Sequence, residues 1–304
     1  MIVPSSCIPD IMYPAKFDYV SPRNLDEALE FLSQHREEAK VLAGGHSLIP
    51  LMKLRVLRPS YVVDLNRIPG LNYVREEEGE LRVGSLTTYF DIESSTLLKS
   101  VVPILPETVS QVADPQVRNW GTLGGSLSHC DPAGDSGSAV IALRGQMVVR
   151  SRAGERVVAS DDWFLGPFES ALKPDEVLTE IRIPKPAPRS GGAYLKLERK
   201  TGDYAIVGVA AQLAIDQAGA VSYAGIGLTS VAPVNMRAKK AEAILLGRMP
   251  DARALDEAAQ AAMEECRPSD DPVRGSAGYK RAMVGVYTKR ALSAALERAK
   301  KGGA

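Results

Sequence analysis

The chain is 304 residues long, enough for one large domain or two to three smaller ones. Its 37 basic and 37 acidic side chains cancel, which argues against a general nucleic-acid binder, and no apolar run reaches the roughly 18 residues of a membrane helix. Cys7, Cys130 and Cys266 stand far apart, so the chain cannot supply the about four thiolates of an iron–sulfur cluster, nor a spaced zinc site. The first twenty residues have no charged n-region and no apolar h-region, and the expectation is a reduced, intracellular chain without a secretory signal.

The elements follow in chain order. Asn24 is a good N-cap, with Glu27 in capping-box position, and Leu25, Ala28, Leu29 and Leu32 share one helical face. "KVLA" predicts a short strand that runs into Gly44-Gly45, and Leu48 to Leu54 a short helix. "YVVDL", Tyr61 to Leu65, predicts a buried strand, which completes a β–turn–helix–β unit. "LRVGS" predicts a strand before the turn and helix of "LTTYFDIESS". "PILPETVSQVADPQVRN" predicts a helix up to about Ala113. A second Gly-Gly turn follows, in "WGTLGGSLSHCDPAGDSGSAVIALRG", then an acidic turn and a helix from about Asp135. "QMVVRSRAGERVVAS" reads as a hairpin with Ala153-Gly154 near its turn, and "EVLTEIRIP" as a strand.

"PKPAPRSGG", Pro184 to Gly192, is the clearest linker. Beyond it "AYLKLERK", "IVGVAAQLAI" and "VSYAGIGLTS" predict a three-stranded meander, followed by helices over Ala238 to Gly247, Ala252 to Glu265 and Tyr279 to Lys300. Strands first and helices after mean α+β.

The chemistry-bearing features are the two Gly-Gly turns, "AGGHS" and "LGGSL". Glycine between a strand and a helix lets backbone N–H groups approach a phosphate, and two such turns suit one anion with two phosphates. Neither a P-loop nor a G-x-G-x-x-G fingerprint is present. Asp135 could also simply cap its helix, Lys196 could point to solvent from an alternating strand, and Tyr204 could be a turn or core aromatic. Asp114 and Asp131 precede prolines and read as structural, and Cys130 as a small buried residue.

"AGGHSLIPLMKLR", "GTLGGSLSHCDPAGD" and "YLKLERKTGDYAIVGVAA", in that order, resemble the FAD-binding medium (flavoprotein) subunits of molybdenum hydroxylases, the xanthine dehydrogenase family. The likeness runs from about Phe17 to Ala295 and leans toward the medium subunits of aerobic carbon monoxide dehydrogenases. The resemblance implies an α+β chain: a two-lobed PCMH-type FAD-binding domain over 1–185, with sub-lobes of about 1–66 and 67–185, then a flavoprotein C-terminal domain over 186–304. It implies that Ala43, Gly44, Gly45, His46 and Ser47, with Thr122, Gly124, Gly125 and Ser126, hold the FAD pyrophosphate. The family often has Asn where this chain has Ser126, whose side chain is shorter but still donates and accepts a hydrogen bond. It implies that Asp135 contacts the adenosine side of FAD, and that Lys196 and Tyr204 approach the flavin end.

In some related flavin oxidases a histidine at the position of His46 is bonded to the flavin, but the arginine that precedes it there is absent here, so non-covalent FAD is expected. The implied activity is electron transfer: a large subunit carries molybdenum cofactor, a small subunit carries two [2Fe–2S] clusters, and this chain passes electrons to an acceptor such as a quinone. The implied assembly is a dimer of heterotrimers, cytoplasmic or on the inner face of the cell membrane. The alternative is a stand-alone FAD oxidase or dehydrogenase of the vanillyl-alcohol oxidase type.

Overall fold

The computed structural model describes residues 13–302. Cys7, and most of the N-terminal stretch read for a secretory signal, lie outside the described residues.

The first lobe holds β1 (Asp18–Val20), α1 (Leu25–His35), β2 (Ala39–Leu42), α2 (Leu48–Lys53) and β3 (Tyr61–Asp64). β3 lies between β1 and β2, parallel to both. α1 starts where the sequence says it should: the Asn24 side chain accepts from the Glu27 N–H at 2.8 Å, and Glu27 accepts from the Arg23 N–H at 2.9 Å. Its Ala28, Leu29 and Leu32 pack with Ala39, Val63 and Leu65. Each buried leucine contributes about 1.5–3 kcal/mol.

The second lobe begins with β4 (Val74–Glu77) and β5 (Glu80–Gly84). Six short helices follow: α3 (Tyr89–Ser94), α4 (Thr96–Val101), α5 (Ile104–Ser110), α6 (Pro115–Trp120), α7 (Leu123–His129) and α8 (Asp135–Ala142). β6 (Gln146–Ser151) and β7 (Gly154–Ala159) form the expected hairpin, and β8 (Phe164–Gly166) pairs with β9 (Glu169–Ser170). β10 (Val177–Pro184) completes an antiparallel sheet of order β4-β5-β10-β6-β7. Trp163, fully buried in this core, donates its indole N–H to the Leu127 carbonyl at 2.8 Å.

Two helices depart from the sequence expectation. The helix expected up to about Ala113 stops at Ser110, and α6 starts anew after Asp114, whose carboxylate accepts from the Val117 N–H at 2.8 Å with Pro115 in the first helical turn. The second Gly-Gly pair lies within the first turn of α7 instead of preceding a helix.

The last part contains the three-strand meander β11 (Ser190–Leu197), β12 (Val207–Ile215) and β13 (Val221–Thr229), joined by a two-residue strand, β14 (Met236–Arg237). β11 begins inside the predicted linker, which shortens it. Then come α9 (Lys239–Leu245), α10 (Ala252–Glu265) and α11 (Ala277–Lys300). Every residue of β12 is buried, because α11 covers one face of the sheet and α8 lies against the other. Side chains at Gly225 and Gly227 of β13 would overlap the Ala142 and Ser138 carbonyls of α8. That close approach fixes α8, and with it Asp135, against the C-terminal sheet.

Candidate cofactor site

β2 ends at Leu42 and α2 begins at Leu48, and the chain between them turns through Gly44 and Gly45. Gly45 has φ +78°, a region closed to most L side chains, and a side chain on Gly44 would overlap the Trp120 carbonyl. The Ala43 carbonyl accepts from the Asn66 amide at 2.9 Å. Asn66 is in turn held by Asp64, whose other oxygen accepts from the Tyr19 hydroxyl. Among the described residues, the N–H groups of Gly44, Gly45, His46 and Ser47 have no acceptor. Four successive unused donors form a nest suited to an anion. The His46 side chain is exposed.

The second turn works differently. Thr122 caps α7 by accepting from the Gly125 N–H at 3.1 Å, while Leu123 and Gly124 donate to the Thr87 and Ser85 carbonyls and Ser126 donates to the Thr122 carbonyl. Its N–H groups therefore already have partners, and the expectation that both turns present free donors is corrected. The second turn supplies close packing: a side chain on Gly125 would reach contact distance of the Ala43 side chain, so the two turns abut. It also offers a hydroxyl, since Ser126 lies 3.0 Å from the Ser136 hydroxyl, which is 3.4 Å from that of Tyr89.

Asp135 sits in the first turn of α8 but does not cap it; Gly134 holds the cap position and has no side chain. The Asp135 carboxylate instead accepts from Lys196 at 2.9 Å and from the Tyr194 hydroxyl at 2.5 Å. Lys196 does not point to solvent: its side chain is 1% exposed, and it also donates to the Gln111 carbonyl at 3.0 Å. Glu198 approaches it at 3.4 Å. Burial pushes the Asp135 carboxyl up against the pull of Lys196, and burial with the nearby Asp135 charge pushes Tyr194 well up. Because Asp135 and Lys196 touch, they cannot mark opposite ends of an extended dinucleotide, which corrects the adenosine-to-flavin direction expected of them.

Tyr204 is half-exposed, in a turn whose Gly202 packs on Ala113. Partial burial and the Asp131 carboxylate raise its pKa. Asp131 also accepts from the Ala133 N–H at 2.9 Å, the structural role expected of it. Cys130 is 2% exposed, donates to the Leu127 carbonyl, and has its thiol pushed up to about 12 by burial.

Tyr194 was not singled out in the sequence. The signal was available: two residues before Lys196 on a strand, it must share that side chain's face. Asn66 and Ser136 carry no such signal, because their roles depend on contacts made only in the fold.

A family described as "FAD binding domain in molybdopterin dehydrogenase" matches residues 15–186. The chain belongs to the FAD-binding medium subunits of the molybdenum hydroxylases. The rest of this medium subunit matches "CO dehydrogenase flavoprotein C-terminal domain" over residues 192–295. It is 42% identical to the carbon monoxide dehydrogenase medium chain of Hydrogenophaga pseudoflava, across 94% of this chain and 99% of that one. It is 35% identical to subunit alpha of the 6-hydroxypseudooxynicotine dehydrogenase complex of Paenarthrobacter nicotinovorans, across 95% and 97%. The solved carbon monoxide dehydrogenase from Hydrogenophaga pseudoflava, in a form lacking the Mo-pyranopterin moiety of its molybdenum cofactor, superposes with a TM-score of 0.92 at 44% identity, covering 94% of this chain and 99% of that one. This medium subunit is thus an oxidoreductase subunit with an FAD-binding domain. Its residues fit the cofactor, since the donor nest of Gly44 to Ser47 offers what a pyrophosphate requires.

Proposed function

We propose that this chain is the electron-transfer subunit of a carbon monoxide dehydrogenase-like complex, relaying electrons from the [2Fe–2S] clusters of a small partner subunit to an external acceptor such as a quinone. A large partner subunit would hold the molybdenum cofactor and oxidise the substrate, in a cytoplasmic dimer of heterotrimers, free or at the inner face of the membrane. The observation that carries the reading is the acceptor-free nest of Gly44 to Ser47, in a chain whose cysteines cannot hold clusters of its own.

FAD, when bound, takes up and releases electrons singly or in pairs. The chain's own residues position it. The N–H groups from Gly44 to Ser47 hold the pyrophosphate, with His46 beside it and unbonded to the ring. Thr122, Gly124, Gly125 and Ser126 close the other side by packing and by the Ser126 hydroxyl. Lys196, fixed by the Gln111 carbonyl and by Asp135, which Tyr194 in turn holds, keeps a positive charge in place without a mobile side chain. Tyr204, half-exposed, limits water at the rim. In this reading the FAD-binding domain spans 1–185, in sub-lobes of about 1–66 and 67–185, and the C-terminal domain spans 186–304.

The test is reduction of the purified complex under anaerobic conditions. The flavin absorbance of this chain should bleach on adding the complex's substrate only when the cluster-bearing subunit is present. Oxidation of alcohols or hydroxy acids by the FAD-loaded chain alone would instead establish the stand-alone oxidase.

A further inference from the structure

One face of the five-stranded sheet carries three arginines side by side. Arg75 of β4 stands directly opposite Arg82 of β5, and Arg82 directly opposite Arg182 of β10. Like charges directly opposite each other destabilise a strand pair. Carboxylates surround the row: Glu77 lies 3.1 Å from Arg75 and 3.0 Å from Arg82, Glu78 also pairs with Arg82, and Glu180 lies 2.6 Å from Arg182 and 3.8 Å from Arg75. On β6, Arg150 pairs in register with Glu155 of β7, yet Glu155 leans 3.6 Å from Arg182 instead. Among the described residues Arg150 has neither an ion pair nor a side-chain hydrogen bond.

The four arginines, with Glu155 and Glu180, line a cleft of about 390 Å³ between the sheet and the first lobe, and Glu77 and Glu78 lie outside it. Its sheet wall presents the guanidinium groups of Arg75, Arg82, Arg150 and Arg182 against two carboxylates, Glu155 and Glu180. Its opposite wall is largely apolar, with Leu25, Ile68 and Leu71. Neither Gly-Gly turn lines it, and neither do Asp135, Lys196 or Tyr204.

We propose that this cleft binds a small organic anion, whose phosphate or carboxylate group lies between Arg150 and Arg182 and whose body rests on Leu25, Ile68 and Leu71. Glu155 is the group displaced: its contact with Arg182 is long and its side chain is 45% exposed, so little holds it there. Guanidinium groups take both phosphate and carboxylate in two-pronged fashion. The proposal does not depend on the electron-transfer reading.

The test is calorimetric titration of the FAD-loaded full-length chain at low salt with pyrophosphate and, separately, with citrate. Saturable binding of at least one below about 1 mM is expected. Pyrophosphate alone identifies a phosphate ligand, citrate alone a carboxylate ligand, and both a site that reads the shared charge. Arg150→Gln should weaken that binding roughly tenfold or more. Arg253→Gln, which removes the same charge at an exposed position of α10, should leave it unchanged. Flavin content should stay constant throughout. Absence of saturable binding, an unaffected Arg150→Gln variant, or equal losses in the two variants would each overturn the proposal.

Discussion

Asp135 and Lys196, 61 positions apart in sequence, meet at 2.9 Å with both side chains almost wholly buried. The pair joins the helix that follows the second Gly-Gly turn to the first strand of the C-terminal sheet. Removing one partner strands a buried charge, so Asp135→Asn or Lys196→Met alone should cost about 3–5 kcal/mol in urea unfolding of the chain. The double variant should recover most of that loss. Tyr194→Phe, which removes only a hydrogen bond to the same carboxylate, should cost about 1–3 kcal/mol. Single losses that simply add in the double variant would show that the pair is uncoupled.

Acid should weaken the second lobe through Glu176. Burial alone would raise its carboxyl, but hydrogen bonds from Arg156 and the Lys173 N–H outweigh burial and hold it below the usual value of 4.5. A carboxyl lowered in the folded state contributes stability that is complete above the unfolded value and is lost as pH falls through the folded one. Unfolding midpoints measured from about pH 6 to pH 3 should therefore drop less steeply for Glu176→Gln than for the wild type. Identical slopes would remove Glu176 from the account.

Cys130 should be chemically silent. Its thiol, at about 12, is scarcely ionised near neutral pH, and it is buried with its hydrogen directed at Leu127. After iodoacetamide treatment of the native protein, mass spectrometry should find the Cys130 peptide unmodified, with full modification after denaturation. Native labelling would mean that α7 opens far more readily than its packing implies.

FAD should leave the protein on acid precipitation. His46 is exposed, on a turn preceded by Ala43. The yellow colour should remain in the supernatant, whereas colour retained in the pellet would show a covalent link.

Local elements were the most legible in the sequence. Asn24 announced α1, and Ala252 to Glu265 forms a helix at the predicted bounds, because caps and helical spacing act within one element. α7 was illegible for the opposite reason. Two glycines argue against a helix, yet the Thr122 cap and the close seat of Gly124 on Ser85 stabilise one. The site divides in the same way. The turn at Gly44-Gly45 is a local signal, while the contact of Asp135 with Lys196 depends on how α8 packs on the C-terminal sheet, which no spacing in the chain encodes.

The central claim is that the turn from Gly44 to Ser47 holds FAD, and an equilibrium titration of the cofactor-free chain with FAD tests it most directly. Gly45 requires φ +78°, which a β-branched side chain resists, so Gly45→Val should misdirect the N–H nest. The wild type should bind one FAD per chain. Gly45→Val should bind it roughly tenfold more weakly or not at all, while far-UV circular dichroism still reports the C-terminal helices. A Gly45→Val chain that binds FAD with wild-type affinity would contradict the account.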